Sequence, residues 1–202
     1  MWEWTLNWGQ AAPFIVIGTC PMTARDLQQI QAEAGITAML SLQHDVCLRY
    51  WQIDYPAMKH AGIELGMVMA RCPIRDFDIE DMRLKLPDAI SHLASLLGAG
   101  HKVYVHCTAG LGRSPLVTLG YLTLVGNYSP DDAIQAILKA RPDAVPAWEA
   151  YHGCCSDLLE RYRPAIEQRA YELYQSGIHG DADTDWLAAK AEIFRTELTR
   201  QR

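Results

Sequence analysis

The sequence of 202 residues lacks an apolar run long enough to cross a membrane, although 50% of its residues are hydrophobic. A membrane-spanning helix needs about 20 consecutive apolar residues, so we expect no membrane partner. A basic surplus is also lacking, because 18 Lys and Arg stand against 24 Asp and Glu, with a net charge of −6. Nucleic-acid-binding proteins usually carry a basic stripe or patch. We therefore predict no nucleic-acid partner either.

Other patterns are absent as well, and each absence excludes a class of protein. The start of the chain, Met1-Trp2-Glu3-Trp4, has no basic segment followed by an apolar core, as a secretory signal would. The six cysteines are scattered, with Cys154 and Cys155 adjacent, which does not suit a disulfide framework. No Cys, His and Asp residues have zinc-finger or zincin spacing. We expect a cytoplasmic protein, in a reducing compartment, that requires no metal and no cofactor.

What the chain does contain is a nine-residue run between two apolar stretches, 102–105 and 115–125, with the sequence His106-Cys107-Thr108-Ala109-Gly110-Leu111-Gly112-Arg113-Ser114. The flanking stretches predict a strand before the run and a helix after it. Small residues in the run let backbone N–H groups converge on an anion, and the start of the helix adds its own free N–H groups. The run therefore predicts a phosphate-binding loop, formed by Thr108, Ala109, Gly110, Leu111 and Gly112.

Four side chains of this run have the chemistry of a covalent catalyst. Cys107 is predicted to be an ionised nucleophile, because helix N-termini and nearby cations lower thiol pKa values. Arg113 supplies a planar fork that pairs with two phosphoryl oxygens. Ser114 is expected to donate its hydroxyl to the sulfur when a phosphocysteine breaks down, and His106 to brace the loop backbone. The alternative, a buried structural thiol beside a glycine turn, does not require these residue types to coincide.

An acid must protonate the departing oxygen when a thiolate attacks a phosphate ester. The segment Arg75-Asp76-Phe77-Asp78 offers two carboxyls, on a predicted loop between a strand and the helix that follows it. Aspartate is also favoured as a helix cap, and Asp78 precedes a helix predicted to begin near Ile79. The residues alone leave Asp76 and Asp78 as candidates for the acid.

The nine-residue run resembles the Cys-x5-Arg motif of the cysteine-dependent protein tyrosine phosphatases, and the spacing of the other segments resembles their small dual-specificity branch. Within that branch, Cys-Thr-Ala-Gly-Leu-Gly-Arg is similar to the loop of the phosphoglucan phosphatases, laforin and the plant starch phosphatases. The likeness covers residues 10–160 and includes segments 16–20, 41–45, 50–54 and 74–78. In this family the acid is the aspartate immediately before the aromatic residue, which selects Asp76 and leaves Asp78 as the cap.

The resemblance implies a phosphatase that works through a phosphocysteine intermediate, most simply on phosphotyrosine and phosphoserine or phosphothreonine in proteins. The alternative substrate is a phosphorylated glycogen or starch-like glucan. Phe77, Tyr50 and Trp51 are candidate substrate contacts that would stack on a sugar or a phosphotyrosine ring, although aromatic residues at such places are as often packing residues. A non-catalytic phosphate-binding module would require loss of Cys107 or Arg113, and both are present.

The order of elements predicts an α/β fold, with a central, mostly parallel sheet flanked by helices and the loop at the carboxyl end of a central strand. The predicted strands are 14–18, 37–42, 66–74 and 102–107. Thr23 and Ser129 are predicted helix caps, the latter followed by Pro130 at the first helical position. Pro87 is expected to kink its helix or to mark the start of that helix.

The chain after position 147 is predicted to be helical, with breaks at Pro164 and across 176–185 that leave terminal helices at 165–175 and 186–198. We divide the chain into a catalytic domain, 1–160, and a helical C-terminal extension, 161–202, to which the sequence assigns no function. It assigns no oligomeric state either. Cys72 is a candidate to trap an oxidised Cys107 as a disulfide, and its alternative role is that of a small apolar residue on a strand.

Overall fold

Five strands form one sheet at the centre of the protein, and the computed structural model describes residues 3–177 and 181–200. The strands are β1 (Trp8–Ala12), β2 (Ile15–Gly18), β3 (Ala38–Gln43), β4 (Val68–Ile74) and β5 (Val103–His106). Their order across the sheet is β1-β2-β5-β3-β4. Only β1 is antiparallel to its neighbour, and the other pairs are parallel. This arrangement confirms the predicted α/β fold and places β5 in the middle of the sheet.

Helices cover both faces of the sheet. They are α1 (Ala24–Ala34), α2 (Asp45–Tyr50), α3 (Tyr55–Glu64), α4 (Ile79–Gly98), α5 (Arg113–Leu124), α6 (Pro130–Ala140), α7 (Trp148–Ser176) and α8 (Ala182–Thr199). Successive residues of a strand point to opposite faces. Tyr104 of β5 accordingly packs in a cluster with residues of α1 and α3, whereas Val103 and Val105 pack in the larger cluster built by α4, α5, α7 and α8.

Helix starts follow the predicted capping chemistry. The Thr23 hydroxyl accepts from the N–H of Asp26 at 3.2 Å, and the Asp26 carboxylate accepts in return from the N–H of Thr23 at 2.8 Å. Ser129 accepts from the N–H of Asp132 at 3.1 Å, with Pro130 as the first residue of α6. Both caps are confirmed, because a hydroxyl at this position satisfies a backbone N–H that the helix leaves without a partner.

The strand predictions agree with the structure to within two residues at each end, but β1 was not predicted. This strand, Trp-Gly-Gln-Ala-Ala, alternates weakly, and a single residue of it is buried. It pairs with β2 at the edge of the sheet through a bulged register. Such a strand is held by its neighbours rather than by its own pattern.

The predicted helix break at Pro164 is wrong, because α7 continues through this residue. Helix α4 begins at Ile79 and contains Pro87, so that Pro87 does not mark its start, and a kink at Pro87 stays a prediction. A proline inside a helix removes one backbone hydrogen bond. In α7, Leu158, Ile166 and Leu173 lie buried on both sides of Pro164 in the main core cluster. Their packing outweighs the lost bond, since burial of one such side chain is worth about 2 kcal/mol.

The C-terminal helices are part of the same core as the sheet. The predicted division between a catalytic domain and a C-terminal extension, at position 160, falls inside the continuous helix α7. This division stays a prediction. Helix α8 begins at Ala182, four residues before the predicted start, because Asp181 caps it by accepting from the N–H of Thr184 at 2.8 Å. Ile166, Leu173, Ala189, Phe194 and Leu198 all belong to the main core cluster.

Side-chain bonds attach these helices to the rest of the protein. Arg83 of α4 donates to both carboxylate oxygens of Asp157 on α7, at 2.7 and 2.5 Å. Arg195 of α8 donates to the Val125 carbonyl at the end of α5, at 3.0 Å. Within the described residues, the helices fall short of the combination of length and apolar character that crossing a membrane requires.

Candidate active site

The nine-residue run lies at the carboxyl end of β5 and leads into α5. This edge of the sheet also carries the ends of β2, β3 and β4. Gln43 at the end of β3 donates to the Thr108 hydroxyl at 3.3 Å, and the Ile74 carbonyl at the end of β4 accepts from Arg113 at 3.0 Å. The topology therefore brings distant segments together around the loop, as parallel sheets do at their carboxyl edge.

Carbonyl groups of the loop are bonded from outside. The His106 ring donates to the Cys107 carbonyl at 2.9 Å, and the N–H of Cys20 donates to the Thr108 carbonyl at 3.0 Å. Arg141 Nη2 donates to the Ala109 carbonyl at 2.8 Å, and the N–H of Val145 donates to the Leu111 carbonyl at 2.7 Å. In a trans peptide the C=O and the next N–H point in opposite directions, and none of the described peptides is cis. The N–H groups that follow these carbonyls therefore face away from the donors, into the concave side of the loop. An anion is the natural ligand of such a concavity.

Glycine is required at position 110 for two reasons. Its φ of +71° lies in the left-handed region, and a Cβ there would lie 2.5 Å from the carbonyl oxygen of Gly18. Gly112 has a different use, because it stands at the N-cap position of α5 and has no side chain to cap the helix. The first N–H groups of α5 are consequently left for another acceptor.

One such acceptor is the sulfur of Cys107, a residue that is 3% exposed. The Ser114 hydroxyl lies 3.6 Å from Cys107 Sγ. Burial alone would raise the pKa of the Cys107 thiol, but the charge of Arg113 and the N–H and hydroxyl of Ser114 outweigh it, so that the pKa lies below its ordinary value. The site therefore favours the thiolate, which is the nucleophilic form of cysteine.

His106 is a buried neutral residue. Burial lowers its pKa from 6.5 to about 4, with the Arg113 charge acting in the same direction against the bond to Cys107 O. A carbonyl can only accept, so Nδ1 of His106 carries the proton and donates it to the Cys107 carbonyl at 2.9 Å. The geometry is that of a support for the loop backbone.

Arg113 is fully buried, and it links the loop to the neighbouring strands and to α2. Its Nη2 donates to Asp76 Oδ2 at 2.6 Å and to the Thr108 hydroxyl at 3.3 Å, and its Nη1 lies 3.4 Å from Cys47 Sγ. Among the described residues, the buried Nε has no hydrogen-bond partner. An unpaired buried donor on a guanidinium is costly, and a bidentate oxyanion would satisfy it.

The two aspartates of the segment 75–78 lie in different environments. Asp78 caps α4, since its carboxylate accepts from the N–H of Asp81 at 3.0 Å, while Asp81 accepts in return from the N–H of Arg75 at 2.7 Å. Asp76 is not a cap and reaches Arg113, with 34% of its side chain exposed. The prediction that Asp78 is a cap is confirmed, and Asp76 is the carboxyl that the fold brings to the loop.

The three aromatic candidates are not equivalent. Phe77, beside Asp76, is 94% exposed and has a φ of +58°, in the left-handed region. Tyr50 is 78% exposed at the end of α2. Trp51 packs instead against a small buried cluster of Cys20, Leu48 and Ile53. Phe77 and Tyr50 are therefore available to a ligand, whereas Trp51 is half-buried against that cluster.

Several residues of the site were not predicted, because their contacts depend on the tertiary fold. Cys47, Gln43 and Arg141 meet the loop only because α2, β3 and the end of α6 converge there. Cys72 is buried in the main core cluster, and burial raises the pKa of its thiol to about 11. Among the residues with assigned positions, no group of three or more His, Cys, Asp or Glu side chains could hold a metal ion.

Comparisons with known proteins agree with this geometry. Residues 20–153 match the family described as dual specificity phosphatase, catalytic domain. Phosphoglucan phosphatase DSP4, amyloplastic, of Castanea sativa is 31% identical over 166 residues, 81% of this chain and 44% of that protein. Laforin of Mus musculus is 30% identical over 147 residues, 68% of this chain and 44% of that protein. The chain thus spans less than half the length of these relatives.

Solved structures share the fold. The crystal structure of PTPMT1 is 19% identical, with a TM-score of 0.58, over 73% of this chain and 90% of that one. The crystal structure of Tk-PTP in the active form is 22% identical, with a TM-score of 0.57, over 76% and 95% of the two chains. The matched segment 20–153 contains the entire loop with Cys107 and Arg113, and Asp76 as well. The chain therefore belongs to the dual specificity phosphatase catalytic-domain family.

Proposed function

We propose that the protein is a cysteine-dependent phosphatase that hydrolyses phosphomonoesters through a phosphocysteine intermediate. The observation that carries this proposal is the convergence of Cys107, Arg113 and Asp76 at one concave loop. The thiol has a lowered pKa, the guanidinium has an unpaired buried Nε, and the carboxyl is within 2.6 Å of that guanidinium. Nucleophile, phosphate ligand and proton donor are thus already in one place.

In the first step, the Cys107 thiolate attacks phosphorus and the bond from phosphorus to the leaving oxygen breaks. Asp76 gives its proton to that oxygen, so that an alcohol or a phenol departs. The dianionic phosphoryl group takes the place of the Asp76 carboxylate on Arg113, which leaves the Asp76 carboxyl beside the leaving oxygen. Arg113 and the loop N–H groups hold the phosphoryl oxygens as charge moves in the transition state.

In the second step, Asp76 takes a proton from water, and the resulting nucleophile attacks the phosphorus of the phosphocysteine. The sulfur–phosphorus bond breaks, inorganic phosphate leaves and the Cys107 thiolate is restored. The Ser114 hydroxyl, 3.6 Å from Cys107 Sγ, is placed to donate to the sulfur as negative charge returns to it. No co-reactant besides water is needed for this balance.

We infer that the substrate is a phosphorylated protein, with phosphoglucan as the second candidate. All six cysteines are free thiols, which supports a reducing, cytoplasmic location. The second candidate rests on Phe77, whose exposed ring beside Asp76 could stack on a sugar face, and on the likeness to phosphoglucan phosphatases. Phosphate release from a phosphotyrosine peptide and from amylopectin separates the two candidates, with Cys107→Ser as a blank in both assays.

Turnover of a small aryl phosphate tests the chemistry itself. Cys107→Ser is expected to abolish turnover, by a factor of at least about 10³, because a serine hydroxyl at this place is not ionised. The same variant should still bind vanadate or phosphate, since Arg113 and the loop are intact. Turnover retained by Cys107→Ser would overturn the proposed function.

A further inference from the structure

Arg141 makes contact with the catalytic loop although it lies 28 residues further along the chain than Arg113. It stands at the end of α6, just before Pro142. Its Nη2 donates to the Ala109 carbonyl at 2.8 Å, and its Nη1 donates to the side-chain oxygen of Asn7. One guanidinium therefore connects the loop, the end of α6 and the N-terminal segment.

The bond to the Ala109 carbonyl fixes one particular peptide of the loop. Because that peptide is trans, the N–H of Gly110 points away from Arg141 and towards the concave side. Glycine adopts many backbone conformations at little cost. Nothing in Gly110 itself therefore holds its φ at the observed +71°. The Arg141 bond supplies the constraint that the glycine itself lacks.

Asn7 in turn holds Arg141. The N–H of Asn7 donates to the Thr19 hydroxyl at 3.1 Å, and the carbonyl of Asn7 accepts from the N–H of Thr19 at 3.0 Å. Thr19 follows β2, beside the loop. Arg141 is therefore supported on the side opposite Ala109 by a segment that is itself bonded to the sheet.

The charges of Arg141 and of the Cys107 thiolate favour each other, since the thiolate acts to raise the pKa of the guanidinium. Burial lowers the pKa of the Arg141 guanidinium, while Tyr104 and Cys107 act in the opposite direction. Arginine keeps its charge at neutral pH in either case. The other groups that influence or face the thiol are Arg113, Asp76, His106, Cys20 and Tyr104. Arg113 is the cation among these groups, and Arg141 is a second one.

We propose that Arg141 is a positioning residue for the phosphatase reaction: its guanidinium holds the Ala109 carbonyl outward, so that the Gly110 N–H faces the phosphoryl oxygens. This inference rests on the proposed function for its catalytic consequence. An arginine is needed because a lysine could supply the charge but not a planar fork that bonds Ala109 and Asn7 together.

The experiment compares Arg141→Gln, Arg141→Lys and Asn7→Ala with a matched control, Arg195→Gln. Arg195 also donates to a backbone carbonyl, but at the other end of α5. Two quantities are measured: kcat and KM for an aryl phosphate, and the pH midpoint of iodoacetamide alkylation, followed on the peptide that contains Cys107. The alkylation midpoint reports the thiolate without any turnover.

Arg141→Gln is expected to raise the alkylation midpoint by roughly one pH unit and to lower kcat by about tenfold or more, because the loop N–H is no longer fixed. Arg141→Lys keeps the charge, so its midpoint should stay near the wild-type value while kcat still falls. Asn7→Ala should lower kcat less, without moving the midpoint. Arg195→Gln should leave both quantities unchanged.

A wild-type midpoint and kcat in Arg141→Gln would overturn the inference, as would equal losses in Arg195→Gln and Arg141→Gln. If Arg141→Gln does not fold, a wild-type kcat in both Arg141→Lys and Asn7→Ala contradicts the positioning role. An inactive wild-type protein would count against the proposed function instead, and the alkylation midpoint would then still decide whether Arg141 acts on the thiol.

Discussion

The N-cap residue of helix α5 is Gly112, which has no side chain to offer, whereas the N-cap residues of α1, α3, α4, α6 and α8 each accept a backbone hydrogen bond through a side chain. The capped helices use Thr, Asp and Ser to close their first turns, and this closure serves folding. In α5 no side chain caps the first turn: the Ser114 N–H donates to the Cys107 sulfur, and Pro115 has no N–H that needs a partner. Helix α7 also starts without a side-chain cap, at Ala147, but the start of α5 is buried beside the Cys107 thiol and donates to its sulfur.

The opposite end of α5 makes the contrast within a single helix. There the Val125 carbonyl is bonded by Arg195 from α8, at 3.0 Å. The C-terminal end is thus closed by the protein itself, while the N-terminal end faces the thiol and the concave loop. The start of α5 thus contributes to the site around Cys107, and its end contributes to the attachment of α8.

The two aspartates of the segment 75–78 test this division with the largest expected effect. Asp76→Ala should lower kcat by about 10²–10⁴, most for substrates with poor leaving groups, because the proton donor is lost. Asp78→Ala should instead cost about 1 kcal/mol of the free energy of unfolding, because it uncaps α4, and should change kcat little. Kinetics with two aryl phosphates of different leaving-group pKa, together with urea unfolding, measure both. Equal kinetic losses in the two variants would break the comparison.

A carboxylate at the N-cap of α5 should lower activity without stabilising the helix. Gly112→Asp places one there, where a Cβ meets open space. We expect kcat/KM to fall by roughly tenfold or more, because the new carboxylate competes with the phosphoryl group. The free energy of unfolding should not rise, because the Ser114 N–H already donates to the Cys107 sulfur and Pro115 has no N–H for the carboxylate to accept. Gly112→Ala, which adds no acceptor, is the control. A Gly112→Asp variant that kept full activity would show that the first turn of α5 does not bind phosphate.

The loop and its flanking strand and helix could be predicted, because the motif is local: small residues, a thiol and an arginine lie within nine positions. The caps Thr23, Ser129 and Asp78 could also be predicted, since a cap needs only residues near it in the chain.

Residues that meet through the fold could not be predicted. Arg141, Gln43 and Cys47 have no local pattern that relates them to the loop, and their partners are set by strand order and by the end of α6. Strand β1 and the continuous α7 were missed for a similar reason. In both, packing against neighbouring elements overrides a weak or unfavourable local pattern.

His106 gives a smaller effect, on stability rather than on rate. Its pKa falls from 6.5 to about 4 on folding, so the unfolded chain binds the proton first as the pH drops below 6.5. Stability is therefore lost as the pH falls from 6.5 towards 4, by about 2 kcal/mol at pH 5. His106→Asn should lack this part of the pH dependence. Urea unfolding of both proteins at pH 7.5 and 5 measures it, and parallel pH dependences would contradict a buried neutral imidazole.

The proposed reaction requires that the Cys107 thiolate at the start of α5 become a phosphocysteine. The most direct measurement is rapid-quench mass spectrometry of the Asp76→Ala variant with an aryl phosphate whose leaving group needs no acid. The second step also uses Asp76, so the intermediate should accumulate, with one phosphoryl group on the peptide that contains Cys107. Phosphate released without any phosphorylated Cys107 peptide, or with the label on another residue, would contradict the account.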